Sequence, residues 1–134
     1  MKICIYGAGA IGGYLGAKLA QGGVDVSLVA RGAHRQAIVD SGLRLVEGSK
    51  ESTYPIRCVE DASELGAQDY VIITLKAHMV GPVARGLESL YHRDTAVVSA
   101  VNGIPWWYFY KSGGPYDGHR IASVDPDDAQ WCFI

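Results

Sequence analysis

Excess positive charge, paired cysteines and long apolar runs are all missing from this 134-residue sequence. Twelve Lys and Arg stand against 14 Asp and Glu, for a net charge of −2. Such a chain has no electrostatic pull toward nucleic acid or an anionic membrane surface. No apolar run reaches the roughly 18 residues a membrane span needs. The N-terminus lacks a secretory pattern, because Met1 is followed almost at once by strand-forming residues. Cys4, Cys58 and Cys132 are odd in number and show no C-x-x-C spacing, which supports neither a disulfide framework nor a zinc site. A reducing cytoplasm is the simplest compartment. Asp125-Pro126-Asp127-Asp128 lacks the glycine and terminal glutamate of a calcium loop. What remains is 49% hydrophobic and 19% charged, which suits one soluble α/β domain over residues 1–134.

Glycine, by contrast, is abundant, and its placement organises the chain. Ile3, Cys4, Ile5 and Tyr6 make a short apolar strand. Gly7, Gly9 and Gly12 follow at G-x-G-x-x-G spacing, and the residues through Gln21 continue as a helix with Ile11, Leu15 and Leu19 at helical spacing. With 17 glycines a bare match carries little weight, but this one joins a strand to an amphipathic helix. Gly7 permits the tight turn, Gly9 lets a pyrophosphate approach the backbone, and Gly12 lets the helix sit close to the sheet. The free N–H groups and the positive end of the helix dipole then favour phosphate. A dinucleotide site is expected here.

Gly22-Gly23 ends the helix, and Val24 to Ala30 reads as a second strand. NAD-binding folds usually carry an acid after this strand to bind the ribose 2′-hydroxyl. This chain carries Ala30-Arg31-Gly32 instead. A guanidinium binds a 2′-phosphate through paired, charge-assisted hydrogen bonds, so Arg31 favours NADP over NAD. His34 and Arg35 add positive charge nearby; the plainer reading of Arg31 is a solvated strand cap. A second helix over Gly32 to Asp40 precedes strands at Leu43 to Val46 and Tyr54 to Val59, separated by a polar loop, Glu47 to Thr53. The pair reads as a hairpin-like excursion feeding a strand at the sheet edge. Asp61 to Glu64 reads as a helix start rather than a catalytic acid pair.

Tyr70 to Leu75 and Thr95 to Val101 read as buried parallel strands, with a helix over Val80 to Tyr91 between them. Lys76 and Asn102 follow those strands at one edge of the sheet, where ligands bind in open α/β folds. Their plainer readings are a solvated lysine and a turn-forming Asn-Gly pair. His78 reads best as a surface or helix-start histidine. Trp106 to Tyr110 form an aromatic, helix-like segment expected to pack on the sheet or on a neighbour. A loop follows from Lys111, then a short strand at Arg120 to Val124 and an apolar end, Trp131 to Ile134.

Gly7-Ala8-Gly9-Ala10-Ile11-Gly12-Gly13, Leu28-Val29-Ala30-Arg31, Thr74-Leu75-Lys76-Ala77 and Val101-Asn102-Gly103-Ile104 stand together in order. This set resembles the N-terminal domain of the ketopantoate reductases. The resemblance implies a Rossmann-like, doubly wound, mostly parallel sheet and NADPH-dependent reduction of 2-dehydropantoate, a small 2-keto acid, on the route to pantothenate. It implies that Gly7, Ala8, Gly9, Ala10, Ile11 and Gly12 hold the pyrophosphate and Arg31 the 2′-phosphate of NADP(H). Lys76 and Asn102 would line the nicotinamide and substrate cleft. Members of that family add a helical C-terminal domain with a catalytic lysine and a substrate-binding acid, and nothing in this sequence matches either. The sequence therefore reads as truncated before the last strand of the sheet and inactive alone. An exposed sheet edge or apolar surface would favour a homodimer. Two other readings stand beside this one: a nucleotide-sensing module like those attached to potassium channels, and a reductase of a related 2-keto acid.

Overall fold

The structure is a computed structural model describing residues 1–134. It is built on five parallel strands: β1 (Lys2–Tyr6), β2 (Asp25–Val29), β5 (Arg57–Val59), β6 (Tyr70–Ile73) and β7 (Ala96–Ser99), in the spatial order β5-β2-β1-β6-β7. In register, Ile5 lies beside Leu28 on one flank and Ile72 on the other. β1 alternates its side chains between two apolar layers. Ile3 and Ile5 join Ala17, Val26, Leu28, Ile38 and Leu43 on one face. Cys4 joins Val29, Val71, Ile73, Leu87 and Leu90 on the other. This sheet, covered on both faces, is the expected Rossmann-like α/β architecture.

The first layer is covered by α1 (Ala10–Gln21) and α2 (Gly32–Ser41). Gly16 and Ala17 are buried in α1; a Cβ on Gly16 would stand 3.0 Å from Leu28 Cδ2, so glycine sets how closely the helix approaches the sheet. Leu15 and Leu19 pack on the core as the helical spacing predicts, but Ile11 is 61% exposed because the first turn projects beyond the strand ends. The chain then makes an antiparallel hairpin, β3 (Leu43–Glu47) and β4 (Lys50–Tyr54), before reaching β5 at the sheet edge beside β2. The expected strand at Tyr54 to Val59 is thus two strands, broken around Pro55-Ile56, where proline supplies no N–H to a ladder. Most of the expected polar loop, Glu47 to Thr53, is β4, because backbone pairing to β3 holds it without an apolar face.

On the other face, Ala62–Leu65, Ala77–Met79 and Gly81–Leu90 form 3-10 helices rather than the α-helix expected over Val80 to Tyr91. Gly81, Pro82 and Gly86 are weak α-helix formers, and the segment still buries Ala84, Leu87 and Leu90. Asp61 caps the first of these helices, accepting from Ser63 N at 2.9 Å. β7 is shorter than the expected Thr95 to Val101 strand. It is also exposed rather than buried, with Val98 42% exposed, because it pairs only with β6. Residues 106–110 form hydrogen-bonded turns, and Trp106, Tyr110 and Trp131 pack against one another rather than under the sheet. Arg120 to Val124 is a turn instead of a strand, closed by Val124 N donating to Ile121 O at 2.9 Å. The apolar end forms a helix that the sequence reading missed, α3 (Ala129–Phe133). Buried Asp125 caps it, accepting from Gln130 N at 3.0 Å and Trp131 N at 2.8 Å. No helix is long and apolar enough to cross a membrane.

Candidate functional site

The chain leaves β1 in one direction for β2 and reaches β6 on the opposite side, so the sheet order reverses at β1. Ligands of open α/β sheets bind outside the strand C-termini at such a reversal. A cleft of about 610 Å³ opens there, a size that suits a small organic ligand. It is lined by strand-end residues (Tyr6 and Gly7, Ala30 and Arg31, Glu60, Leu75), by Ala8 and Gly9 of the glycine loop and by His34 of α2. Met79, Pro82 and Val83 add an apolar wall.

The glycine loop is held by hydrogen bonds on both sides. Gly7 N donates to Val29 O at 3.0 Å, and Thr74 Oγ1 donates to Gly7 O at 2.5 Å. Gly7 itself has φ +111, and a Cβ there would stand 2.8 Å from Leu75 Cδ2, so the turn demands glycine. At Gly12 a Cβ would overlap the Gly7 carbonyl oxygen and come within 2.5 Å of Thr74 Oγ1. Gly9 is different: it has ordinary φ −68, and nothing lies within 4 Å of where its Cβ would be. Space is thus left open at the one glycine where a ligand's phosphate would approach the backbone.

Gly9 is the N-cap of α1 and offers no side-chain cap, and the first turn carries no acid. The helix's first N–H groups are therefore available to an anion, with the dipole's positive end behind them. Arg31 is the exposed N-cap residue of α2 and takes part in none of the ion pairs. Its guanidinium is free to bind a second anion at the β2 end of the cleft. Burial pushes the Tyr6 phenol above its ordinary value, with Cys4 adding to the rise and Arg31 opposing it. These features fit a dinucleotide: open backbone under the phosphates, unpaired donors, and a cation one strand away.

The sequence-derived residues gather unevenly. Gly7, Ala8, Gly9 and Arg31 line the cleft; Ala10 and exposed Ile11 open α1 without lining it, Ala10 facing the space on the other side of the loop, and Gly12 is buried. Lys76 is exposed at the N-cap of the Ala77–Met79 helix, between cleft residues Leu75 and His78 but not itself lining the cleft. Asn102 is exposed beside a space of only about 30 Å³, shared with Ala77, Trp106 and Gln130. His34 faces the cleft, whereas Arg35 packs inward with a buried, unpartnered Nε, close enough to Cys58 to oppose the burial-driven rise of that thiol. The sequence reading missed Tyr6, Glu60 and Thr74. The strand-end rule already applied to Lys76 could have found Glu60, which directly follows Val59 of β5.

The sequence pattern of the family Ketopantoate reductase PanE/ApbA matches residues 3–105. A 2-dehydropantoate 2-reductase of Mesorhizobium japonicum is 54% identical over 132 residues, which is 98% of this chain and 40% of that protein. One of Pyrococcus horikoshii is 40% identical over 105 residues, covering 78% of this chain and 34% of its own length. Among solved structures, a candidate ketopantoate reductase from Ralstonia solanacearum MolK2 superposes with a TM-score of 0.92 at 47% identity, over 99% of this chain and 41% of that one. D-Mandelate dehydrogenase, solved with NADH and anilino(oxo)acetate, superposes with a TM-score of 0.71 at 34% identity, over 78% of this chain and 35% of its own. The chain thus spans about two fifths of the length of the Mesorhizobium and Ralstonia proteins and about a third of the Pyrococcus one.

Proposed function

The chain belongs to the ketopantoate reductase family, and from that premise we propose that it forms the NADP(H)-binding part of a reductase that turns 2-dehydropantoate into pantoate. The observation that carries this reading is Arg31, exposed and free of ion pairs at the end of β2, at the mouth of a cleft floored by the glycine loop. Gly9 and the first N–H groups of α1 hold the pyrophosphate, and Ala8, Ala10 and Ile11 shape the loop around it. Arg31 holds the 2′-phosphate through paired hydrogen bonds. The apolar wall of Met79, Pro82 and Val83 keeps water from the cofactor's buried edge.

When bound, the nicotinamide supplies a hydride to the keto carbon. In this reading Lys76 and Asn102, three residues past the C-terminal ends of β6 and β7, serve the reacting end of the cofactor. The ammonium of Lys76 attracts the carboxylate of a 2-keto acid and steadies the negative charge that develops on its oxygen. Asn102 offers a donor to the nicotinamide ribose or to a substrate oxygen. Protonation of that oxygen needs an acid, a role for which these residues offer no match and which the resemblance assigns to a lysine of a C-terminal domain. The chain on its own is therefore expected to bind cofactor and turn over slowly or not at all. In this reading the protein is a soluble enzyme of pantothenate synthesis in the cytoplasm.

Titrating the chain with NADPH and with NADH, followed by cofactor fluorescence, tests the proposal. NADPH is expected to bind more tightly, and Arg31→Ala to weaken NADPH about tenfold or more while leaving NADH unchanged. Equal affinity for the two cofactors in the unaltered chain would overturn the NADP assignment, and the relative solved with NADH makes that the outcome to watch.

A further inference from the structure

We infer that His34 is a positioning residue that aims the Gly9 N–H into the dinucleotide cleft, an inference that rests on the cofactor reading above. His34 lies three residues after Arg31 in α2, and its Nε2 stands 2.6 Å from the carbonyl oxygen of Ala8. A carbonyl only accepts, so Nε2 carries the proton in this bond. The Ala8 carbonyl and the Gly9 N–H belong to one peptide unit, which is planar and trans. The two groups point in opposite directions across it. Fixing the Ala8 oxygen on the α2 side therefore fixes where the Gly9 hydrogen points.

Little else can fix it. Gly9 has no side chain, no atom lies within 4 Å of where its Cβ would be, and α1 has no side-chain cap. The Ala8 side chain is buried in the core, but the peptide that follows it borders open space on two sides. The 610 Å³ cleft lies on one side and a second space of about 530 Å³, reaching to Leu43, Arg44 and Leu45, lies on the other. His34, Ala8 and Gly9 line both. Gly9 O is held by Gly13 N at 2.7 Å, but without the imidazole no hydrogen bond holds the Ala8 carbonyl, and the peptide can tilt toward either space. A hydrogen-bonded carbonyl also polarises its own peptide and makes the N–H a stronger donor.

This role differs from that of Arg31 in a measurable way. Arg31 reads a phosphate that only NADPH carries. His34 acts through the pyrophosphate cradle, which both cofactors occupy. His34→Ala is expected to weaken NADPH and NADH by the same factor, about five- to tenfold. His34→Gln places an amide N–H near the former Nε2 and is expected to restore both affinities to within about twofold. Cofactor titrations of the unaltered chain, both His34 variants and Arg31→Ala, with a thermal melt of each, make the test. Unchanged affinity in His34→Ala, a loss confined to NADPH, or failure of His34→Gln to restore binding would each overturn the inference. Should His34→Ala not fold, His34→Met keeps the bulk without a donor, and its comparison with His34→Gln decides in the same way. If the unaltered chain binds neither cofactor, the cofactor reading falls and the inference with it. If that chain binds and only the His34 result fails, the cofactor reading stands.

Discussion

The two flanks of β1 are built differently. On the β2 side the strand ends bring the glycine loop, Arg31 and Glu60, with His34 of α2, around one cleft. On the β6 side Leu75, Met79, Pro82 and Val83 give that cleft an apolar wall, but β7 is an exposed edge, and Lys76 and Asn102 stand exposed outside the cleft. The first flank is fixed by steric demands within a few residues of each glycine. The second offers polar groups at strand ends without enclosing them. Holding a ligand through backbone N–H groups requires a rigid loop, and that is where the chain spends its tightest packing. Enclosing a reacting carbonyl needs walls on more sides than this flank provides.

The sharpest way to break this contrast lies within the glycine loop. A methyl at Gly12 meets the Gly7 carbonyl and the Thr74 hydroxyl, backbone and strand-end atoms with no room to retreat. Gly12→Ala is expected to cost about 1–3 kcal/mol of stability and to abolish cofactor binding. Gly9→Ala meets nothing within 4 Å and keeps an ordinary φ, so its melting temperature should stay put while cofactor affinity drops. Thermal melts and titrations of the two variants side by side make the measurement. If Gly9→Ala bound cofactor as well as the unaltered chain, the open space over Gly9 would not be where phosphate lies.

A smaller effect compares the sheet centre with the C-terminal helix. Burial pushes the Cys4 thiol up to about 12, and Cys58 is raised by the same cause, whereas Cys132 of α3 is exposed. The thiolate is the reactive form, so Cys132 should be alkylated first at pH 8, with Cys4 and Cys58 protected until the chain unfolds. Mass spectrometry of the labelled chain reads this directly. Early labelling of Cys4 would mean that β1 opens locally, against its place at the centre of the sheet.

The same contrast decides what could be read before the structure was known. The glycine turn and the strand and helix it joins were legible because each depends on neighbours in sequence: a strand, a turn with φ > 0, a helix start. β4 was not, since Lys50–Tyr54 is polar and becomes a strand only by pairing with β3. α3 was hidden for a similar reason, its cap being a carboxylate, Asp125, four residues before the helix begins. The Thr74 hydroxyl, 67 residues from the carbonyl it donates to, could be placed only once β6 was known to lie beside β1. The strand-end rule singles out Lys76 and Asn102 at the edge of the sheet but does not say which cavity a side chain enters.

The least disruptive probe falls on the β6 flank, at Tyr91, which ends the Gly81–Leu90 helix and packs against the second apolar layer. Its hydroxyl is buried without a hydrogen-bond partner, and burial, with Glu88 adding to it, pushes the phenol up to about 12. A phenol raised in the folded state is harder to ionise there than in the unfolded chain, where it titrates near 10. Its neutral form therefore favours the fold below about pH 10, and that advantage is lost as pH rises toward about 12. Tyr91→Phe keeps the ring and removes the unpaired hydroxyl, so at pH 7 it should leave stability unchanged or raise it by about 1 kcal/mol or less. It should also flatten the loss of stability between pH 10 and 12. A variant clearly less stable than the unaltered chain at pH 7 would show that the hydroxyl has a partner in solution. The β6 flank would then be more tightly organised than its exposed edge implies.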